Sequence, residues 1–261
     1  MHLLDTICHS KRLEVARQKE AIPFSYVENS LSFQFREKVS FKQALAGSDS
    51  GIIAEFKRKS PSKGWINPEA DVTHIVRSYE TAGATAISCL TDEPFFGGSF
   101  ADFKKAREAI DHVPLLRKDF IIDEYQLYQS KAMGADVVLL IAACLTAEEI
   151  ARFTSIAHHL DMEVLIEIHD ESELASICPD ADVIGINNRN LNTFVTDIRN
   201  SLNLANRTPN RFLKISESGL SCPETVAQLR KAGFKGFLIG ENFMKTSDPG
   251  EALREFIRYM Q

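Results

Sequence analysis

Short apolar runs alternate with amphipathic stretches along most of the chain. Eight such runs begin at residues 51, 84, 112, 135, 162, 181, 212 and 233, and their spacing of about 20 to 35 residues suits βα units. Each run is followed by a polar turn and then by a stretch with helical character. Because the runs are almost continuously apolar, they predict a parallel sheet that helices cover.

Polar residues and glycines mark the predicted helix ends. Asn67, followed by proline in "NPEA", predicts an N-cap. Thr146 with Glu149, and Ser221 with Glu224, have the spacing of a capping box. The glycines of "TAGATAI", "AMGADVV" and "KAGFKGF" predict left-handed C-caps directly before the next strand.

The number of units and the chain length predict the fold. Eight βα units in 261 residues predict an α/β protein, a (β/α)8 TIM barrel over residues 49–261. Residues 1–48 form an N-terminal helical extension, with helices expected over residues 1–20 and roughly 41–47, and the whole chain is expected to be a single domain. A doubly wound open sheet is the alternative, but no G-x-G-x-x-G follows the first strand.

Composition narrows the range of partners. The net charge of −6 argues against nucleic acid or an anionic membrane as a partner, so any bound anion must be held by a local cluster. The longest apolar run, "VVLLIAACL", is too short to span a bilayer, and the N-terminus lacks the apolar core of a signal peptide. Five cysteines without a C-x-x-C pair predict reduced thiols packed as small apolar residues in a cytoplasmic protein.

Charged and amide residues recur at the predicted carboxyl ends of the strands, where barrels place their functional groups. They are Glu55 and Lys57 on the first strand, Lys118 on the third, Glu167 on the fifth, Asn187 and Arg189 on the sixth, and Glu217 on the seventh. Glu167 lies within an apolar run, where an unpaired carboxylate is costly. Groups brought together at one rim would shift one another's pKa values, as general acid–base catalysis requires.

Two glycine-containing loops predict a binding site for an anion. Ser218 and Gly219 follow the seventh strand, and Gly240 and Glu241 follow the eighth. In barrels, backbone N–H groups of these two loops often hold a phosphate, and glycine lets the backbone approach it closely. Ser60, in the loop after the first strand, can add a hydroxyl group.

Each of three further side chains has two possible roles. Phe96 and Phe120 either anchor their loops or wall an aromatic substrate. His169 shares a strand face with Glu167, and its role is either structural or catalytic. No H-E-x-x-H motif, His/Cys cluster or DxD pattern offers a metal site, so no metal is expected.

The motifs together resemble those of the indole-3-glycerol phosphate synthase family of tryptophan biosynthesis. The resemblance spans essentially the whole chain and is carried by "IIAEFKRKSPSKG", "LTDEPFFGGS", "LLRKDFIIDEYQ", "EVLIEIHDESEL", "IGINNRNLNTF", "ISESGL" and "FLIGENFM". It implies a barrel whose N-terminal extension packs over the active-site end and which needs no cofactor. It further implies a carboxy-lyase that closes the ring of 1-(2-carboxyphenylamino)-1-deoxyribulose 5-phosphate and expels carbon dioxide and water.

The resemblance also implies a role for each matching residue. Lys118 would be the general acid on the ribulose carbonyl, Lys57 would hold the anthranilate carboxylate and share the acid role, and Glu167 would act as base or stabilise a cation. The remaining roles follow in the same way: positioning by Glu55, Asn187 and Glu217; phosphate binding by Ser60, Gly219, Gly240 and the backbone at Glu241; further substrate contacts by Arg189 and Ser218.

Two rival functions remain open at the level of sequence. A Schiff-base aldolase would use Lys118 as a nucleophile towards a sugar carbonyl. A barrel that binds a phosphorylated ligand without turnover would use the same anion site. For these two functions and for the synthase activity that the resemblance implies, the expected partner is a small phosphorylated molecule. Other tryptophan-pathway enzymes are candidate protein partners for the family reading alone.

Overall fold

Eight parallel strands close into a barrel in the computed structural model, which describes residues 3–31, 36–190, 193 and 195–260. The strands are β1 Ile52–Phe56, β2 Ala86–Leu90, β3 Leu115–Lys118, β4 Val137–Ile141, β5 Glu163–Ile168, β6 Val183–Asn187, β7 Leu213–Glu217 and β8 Gly236–Ile239. Neighbours in the barrel follow chain order, and β8 pairs with β1 with Leu238 opposite Ile53. The predicted (β/α)8 barrel is confirmed.

Helices surround the barrel and precede it. They are α1 Leu3–Ala21, α2 Phe24–Ser30, α3 Phe41–Gly47, α4 Val72–Ala82, α5 Glu93–Phe96, α6 Phe100–Ala109, α7 Glu124–Ala132, α8 Ala147–His159, α9 Arg199–Ala205, α10 Pro223–Lys231, α11 Glu241–Met244 and α12 Pro249–Met260. After β5 the chain forms the 3₁₀ helix Glu171–Ser176 in place of an α-helix. Among the described residues, no helix is long and apolar enough to cross a lipid bilayer.

Side-chain alternation along the strands divides the apolar core into two parts. One set of residues fills the barrel interior: Ile53, Leu116, Leu139, Leu165, Val183, Ile215 and Leu238. Residues of the opposite parity, such as Ile52, Val138 and Ile184, pack beneath the outer helices. Because parity continues along a strand, the inward-facing positions at the carboxyl ends are Glu55, Lys118, Glu167, Asn187 and Glu217.

Some of the predicted helix ends are confirmed. The capping box of Thr146 and Glu149 opens α8 with both reciprocal hydrogen bonds. Gly83, Gly134 and Gly233 follow α4, α7 and α10 with φ values of 97°, 83° and 91°. These left-handed residues end their helices and turn the chain into the next strand, as predicted.

The predicted caps at Asn67 and Ser221 are wrong. The backbone N–H of Asn67 donates to Arg58 O, and the Arg58 guanidinium donates to Ala70 O at 2.9 Å, so this segment is held in the loop. Helix α4 therefore begins later, after Asp71, whose carboxylate accepts from His74 N. Helix α10 begins at Pro223 with Cys222 as its N-cap, one residue too late for a box opened by Ser221.

The N-terminal extension contacts both ends of the barrel. Helix α3 plugs the end where the strands begin: Phe41 and Leu45 are fully buried in the interior cluster, and Lys42 N donates to Glu163 at 2.7 Å. Helix α1 lies at the opposite end, where the strands finish. The first two positions of the predicted helix over residues 1–20, and residues 32–35 of the predicted extension, lie outside the described residues.

A buried ionic cluster attaches α1 to the carboxyl ends of the strands. Lys11 is 1% exposed, and its Nζ lies 3.1 Å from Asp92 Oδ2 and 3.0 Å from Asp119 Oδ1. Asp119 also accepts from the Arg117 guanidinium at 2.8 Å. Burying a lysine without such partners would cost much free energy, so these ion pairs fix the position of α1 on the barrel.

Candidate active site

A cavity of about 460 Å³ opens at the carboxyl ends of the strands. The side chains of Leu3, Leu4 and Ile7 on α1 form part of its wall. Every candidate residue identified in the sequence lines this cavity: Glu55, Lys57, Ser60, Phe96, Lys118, Phe120, Glu167, Asn187, Arg189, Glu217, Ser218, Gly219, Gly240 and Glu241. Residues spread over most of the chain therefore converge on one space.

Lys118 lies between the carboxyl groups of Glu167 and Glu217 in the cavity. Its Nζ lies 3.3 Å from Glu167 Oε2 and 3.4 Å from Glu217 Oε2, and its side chain is 15% exposed. Burial alone would lower the pKa of Lys118, but the charges of Glu167, Glu217 and Glu55 raise it above its ordinary value. Lys118 is therefore an ammonium group at neutral pH.

Glu167 is held as a carboxylate by three neighbours. Burial favours its neutral form, but Lys118 and His169 outweigh burial and the pKa of Glu167 is lowered. Asn187 Nδ2 donates to its Oε1 at 3.2 Å, and His169 Nε2 lies 3.0 Å from the same oxygen. The three neighbours come from β3, β6 and the end of β5, so the barrel fixes the orientation of this carboxylate.

His169 joins the site instead of serving only as packing. Burial would lower its pKa, but contacts with Glu167 and then Glu173 raise the pKa to about 10. Its backbone N–H donates to Glu173 Oε2 at 2.7 Å, and Asn200 Nδ2 donates to its carbonyl oxygen at 2.8 Å. Its side chain, 8% exposed, is thus an imidazolium held between two glutamates.

Glu217 differs from Glu167 although both face Lys118. Burial and the nearby charge of Glu167 raise the pKa of Glu217 to about 8, against the opposing charge of Lys118. Neither carboxyl oxygen has a hydrogen-bond partner among the described residues. Gly185 makes room for this group, because a Cβ there would lie 2.3 Å from Glu217 Oε1. The sequence pattern alone did not single out Gly185.

Glu55 and Lys57 form an ion pair at the end of β1. Lys57 Nζ lies 2.6 Å from Glu55 Oε1, and both side chains line the cavity. A Cβ at Gly240 would lie 2.5 Å from the same Glu55 oxygen. Gly240 was identified in the sequence as an anion-binding glycine, and the structure shows that it also clears space for the Glu55 carboxylate.

The loops after β1, β7 and β8 face one another across the cavity. Ser218 and Gly219 adopt left-handed φ values of 69° and 73°, which turn the backbone sharply after β7. The Ser60 hydroxyl is buried without a hydrogen-bond partner among the described residues. A buried, unsatisfied hydroxyl and a tight backbone turn that line one cavity suit the binding of an anion.

Arg189 connects two of the loops around the cavity. Its backbone N–H donates to Asn187 Oδ1 at 2.9 Å, and its guanidinium donates to Ser62 Oγ at 3.2 Å. Ser62 belongs to the loop after β1, which also contains Ser60. Arg189 therefore links the end of β6 to that loop.

Two aromatic rings complete the wall. The centroids of Phe96 and Phe120 lie 6.0 Å apart, with the rings tilted by 37°. Both rings line the cavity. Whether they wall an aromatic substrate or only anchor their loops stays a prediction.

Fold and site together define a (β/α)8-barrel enzyme with an ammonium–carboxylate cluster at its mouth. Within the described part of the chain, no three His, Cys, Asp or Glu side chains are grouped so that they could hold a metal ion.

The chain belongs to the indole-3-glycerol phosphate synthase family, whose profile matches residues 4–256. It is 55% identical over 259 residues to the indole-3-glycerol phosphate synthase of Bacteroides thetaiotaomicron, covering 99% of both chains. The enzyme of the same name from Delftia acidovorans is 42% identical, with 96% of this chain and 97% of the relative covered. That of Neisseria meningitidis serogroup B is 43% identical, with 94% and 95% covered. The family activity is that of a carboxy-lyase in tryptophan biosynthesis.

Proposed function

We propose that the cavity closes the indole ring by general acid–base catalysis. The substrate is 1-(2-carboxyphenylamino)-1-deoxyribulose 5-phosphate, and the products are indole-3-glycerol phosphate, carbon dioxide and water. The observation that carries the assignment of roles is the position of Lys118 Nζ, 3.3 Å and 3.4 Å from the carboxyl groups of Glu167 and Glu217 in a cavity lined by the loops after β7 and β8.

The two anionic ends of the substrate match two parts of the cavity. Lys57 at the end of β1 binds the carboxylate of the anthranilate group, whose ring rests against Phe96 and Phe120. The phosphate binds to Ser60, Gly219, Gly240 and the backbone at Glu241, with Arg189 and Ser218 beside it. Fixing both ends folds the flexible sugar chain into a reactive shape, an effect that can supply several kcal/mol.

Ring closure begins at the ketone. The ring carbon that bears the carboxylate attacks the ribulose carbonyl carbon, and Lys118 donates a proton to the carbonyl oxygen. Because its carboxylate neighbours hold Lys118 in the ammonium form, the group that meets the oxygen carries both a proton and a positive charge. Glu55 and Asn187 position Lys57 and Glu167 respectively.

Loss of carbon dioxide and of water completes the reaction. When the carbon–carbon bond to the carboxylate breaks, its electron pair returns to the ring and restores aromaticity. The new hydroxyl group then leaves as water after protonation. Glu167 stabilises the resulting cation and accepts the proton lost from the neighbouring carbon. Glu217, which is largely protonated at neutral pH because its pKa is about 8, positions the substrate hydroxyls.

The protonation of Lys118 argues against the aldolase reading. A Schiff-base lysine must present a free amine to the carbonyl, whereas the neighbours of Lys118 stabilise its ammonium form. Borohydride treatment in the presence of substrate distinguishes the two. We expect no increase in the protein mass for an acid-catalysed reaction, and a covalent adduct at Lys118 would instead establish the aldolase mechanism.

The direct test of function is a fluorescence assay for the indole product. Purified protein and the carboxyphenylamino sugar phosphate should give a rising indole signal, and Glu167→Gln should reduce the rate by about 100-fold or more. Lys19→Met, a change on the outer surface of α1, serves as the control and should leave the rate unchanged. Ligand binding without any indole signal from the unmodified protein would favour a non-catalytic binding barrel.

We also propose a cytoplasmic location and contacts with other enzymes of tryptophan synthesis. The support is chemical, since a substrate with a phosphate and a carboxylate does not cross a membrane, and neighbouring reactions make this substrate and consume the product. Cell fractionation tests the location. Co-purification at native expression levels tests the contacts, and recovery of the protein alone would contradict them.

A further inference from the structure

Two thiols meet where α1 crosses the end of β4. Cys8 Sγ and Cys144 Sγ lie 3.1 Å apart although the residues are 136 positions apart in the chain. Cys8 follows Ile7, which walls the cavity, and Cys144 ends the 3₁₀ turn Ala142–Cys144 directly after β4. Helix α1 and the barrel mouth thus each contribute one sulfur to the contact.

We propose that Cys8 and Cys144 form a peroxide-sensitive dithiol site whose oxidation ties α1 to the barrel by an intramolecular disulfide. A disulfide bond is about 2.05 Å long, so the sulfurs need to approach by only about 1 Å. A small shift of α1 and of the two side chains provides this distance.

The other cysteines provide an internal contrast. Their nearest polar contacts among the described residues are oxygen atoms. Cys178 Sγ lies 3.4 Å from Thr154 Oγ1, and Cys222 Sγ lies 3.0 Å from Thr225 Oγ1. The sequence indicated five isolated thiols, and the fold makes a pair of two of them.

Hydrogen peroxide supplies the oxidising equivalents for the bond. The Cys8 thiolate attacks one peroxide oxygen, the O–O bond breaks, and hydroxide leaves and takes up a proton, so that Cys8 becomes a sulfenic acid. Cys144 then attacks Cys8 Sγ, which forms the S–S bond and releases the second oxygen as water with the proton of Cys144. The balance is two thiols and one peroxide to one disulfide and two waters.

The surroundings favour Cys8 as the first thiol to react. The hydrogen bond with Cys144 is the main cause of the lowered pKa of Cys8; burial opposes it and the charge of Arg12 supports it. The same contact, followed by burial, raises the pKa of Cys144. Cys8 is 6% exposed and Cys144 is half-buried, so the pair is only partly shielded from solvent.

The bond would fix one wall of the cavity. Cys8 lies three residues before Lys11, whose ionic contacts already hold α1. A covalent tie adds to those contacts and restricts the unfolded chain, so the oxidised protein should melt at a higher temperature. Drawing Ile7 towards Cys144 also displaces part of the cavity wall, which should lower kcat/KM.

The test uses purified full-length protein that has been reduced and then treated with hydrogen peroxide. We expect the intact mass to fall by two hydrogens, a tryptic digest to link the peptides of Cys8 and Cys144, and Tm to rise by about 5 °C. We expect kcat/KM to fall about threefold and to recover with dithiothreitol. Cys222→Ser should behave like the unmodified protein, whereas Cys8→Ser and Cys144→Ser should show none of these changes.

Three results would overturn the proposal. The first is that peroxide produces only sulfinic or sulfonic acid at Cys8, without a linked peptide. The second is that the disulfide joins any other pair of cysteines. The third is that the linked protein forms but keeps the Tm and kcat/KM of the reduced protein, which would show that the bond does not restrain α1. These results do not depend on which residue donates which proton in the reaction.

Discussion

At the scale of single residues, Glu217 and Glu167 both face Lys118 but differ in protonation state, because their other neighbours differ. Asn187 donates a hydrogen bond to Glu167 and His169 adds positive charge beside it, whereas Glu217 lacks any hydrogen-bond partner among the described residues. The pKa of Glu167 is lowered and that of Glu217 is raised to about 8. Environments that separate the pKa values of two neighbouring acids commonly mark acid–base sites.

Glu217→Gln should make the protein more stable at alkaline pH. The pKa of Glu217 is about 8 in the folded protein and 4.5 in the ordinary group, so the folded state holds the extra proton between these values. The contribution of Glu217 to the stability of the unmodified protein therefore falls as pH rises from about 4.5 to 8. Urea unfolding at pH 5 and pH 8 should show that, at the higher pH, the free energy of unfolding of the variant exceeds that of the unmodified protein by about 2 kcal/mol.

The exposed glutamate Glu255, on the outer helix α12, provides the control for this measurement. Glu255→Gln should follow the pH profile of the unmodified protein. If Glu217→Gln also follows that profile, Glu217 is ionised at neutral pH and cannot have the protonated state assigned to it.

The carboxyl ends of the predicted strands indicated most of the site at this scale, and cross-strand contacts account for what they missed. Because barrels place functional groups at these ends, the sequence predicted that Glu55, Lys118 and Glu167 meet at one rim. The clearance that Gly185 gives Glu217 could not be predicted, because it depends on the register between β6 and β7. The same is true of the contact between His169 and Glu167 Oε1, whose geometry depends on side-chain rotamers.

At the scale of elements, a buried charge as well as an apolar face positions α1. Four of its residues are buried, and one of them is Lys11. Lys19, on the same helix, pairs with Asp123 at 2.7 Å, but these side chains remain 42% and 30% exposed. The helix therefore carries one buried cluster of ion pairs, around Lys11, and one exposed ion pair, at Lys19, and the two can be compared directly.

Lys11→Met should destabilise the protein far more than Lys19→Met. Removing Lys11 leaves the buried carboxylates of Asp92 and Asp119 without their shared cation, at a cost of about 3 to 5 kcal/mol. Removing Lys19 breaks an exposed pair and should cost no more than about 1 kcal/mol. Urea unfolding of the two variants provides the comparison, and equal losses would mean that the buried cluster does not hold α1.

The start of α8 was predicted correctly because its cap is local, whereas the start of α4 was missed because a distant group intervenes. The capping box at Thr146 uses only residues of its own turn, and it formed as predicted. The start predicted at Asn67 failed because Arg58, in the loop after β1, binds Ala70 O and holds the intervening segment out of the helix. Such loop contacts bring together residues whose approach only the folded chain determines.

At the scale of the whole molecule, the extension seals the barrel at one end and walls its cavity at the other. Arg36 and Arg107 both contact the buried carboxylate of Asp136 at 2.7 Å, which ties the extension to the end of the barrel that α3 plugs. We propose on this basis that residues 1–48 and 49–261 form a single domain. The sequence placed helices in the extension, but their division between the two barrel ends emerged only with the fold.

Removing residues 1–48 should leave an incomplete barrel. The deletion takes away Phe41 and Leu45, which are fully buried against the interior cluster, together with Lys11. We expect the truncated chain to bind a hydrophobic dye strongly and to lack a cooperative melting transition. Leu45→Ala, a milder change at the same surface, should cost about 2 to 4 kcal/mol and keep the fold. A truncated chain that melts like the full protein would show that the barrel is a domain by itself.

The most direct test of the assigned mechanism is the turnover of Lys118→Ala beside its affinity for the product. Lys118 donates the proton and stabilises the developing charge, so its loss should lower kcat by about 1,000-fold or more, while the dissociation constant for indole-3-glycerol phosphate, followed by indole fluorescence, changes less than about tenfold. Indole formation at an unchanged rate would contradict the role of Lys118.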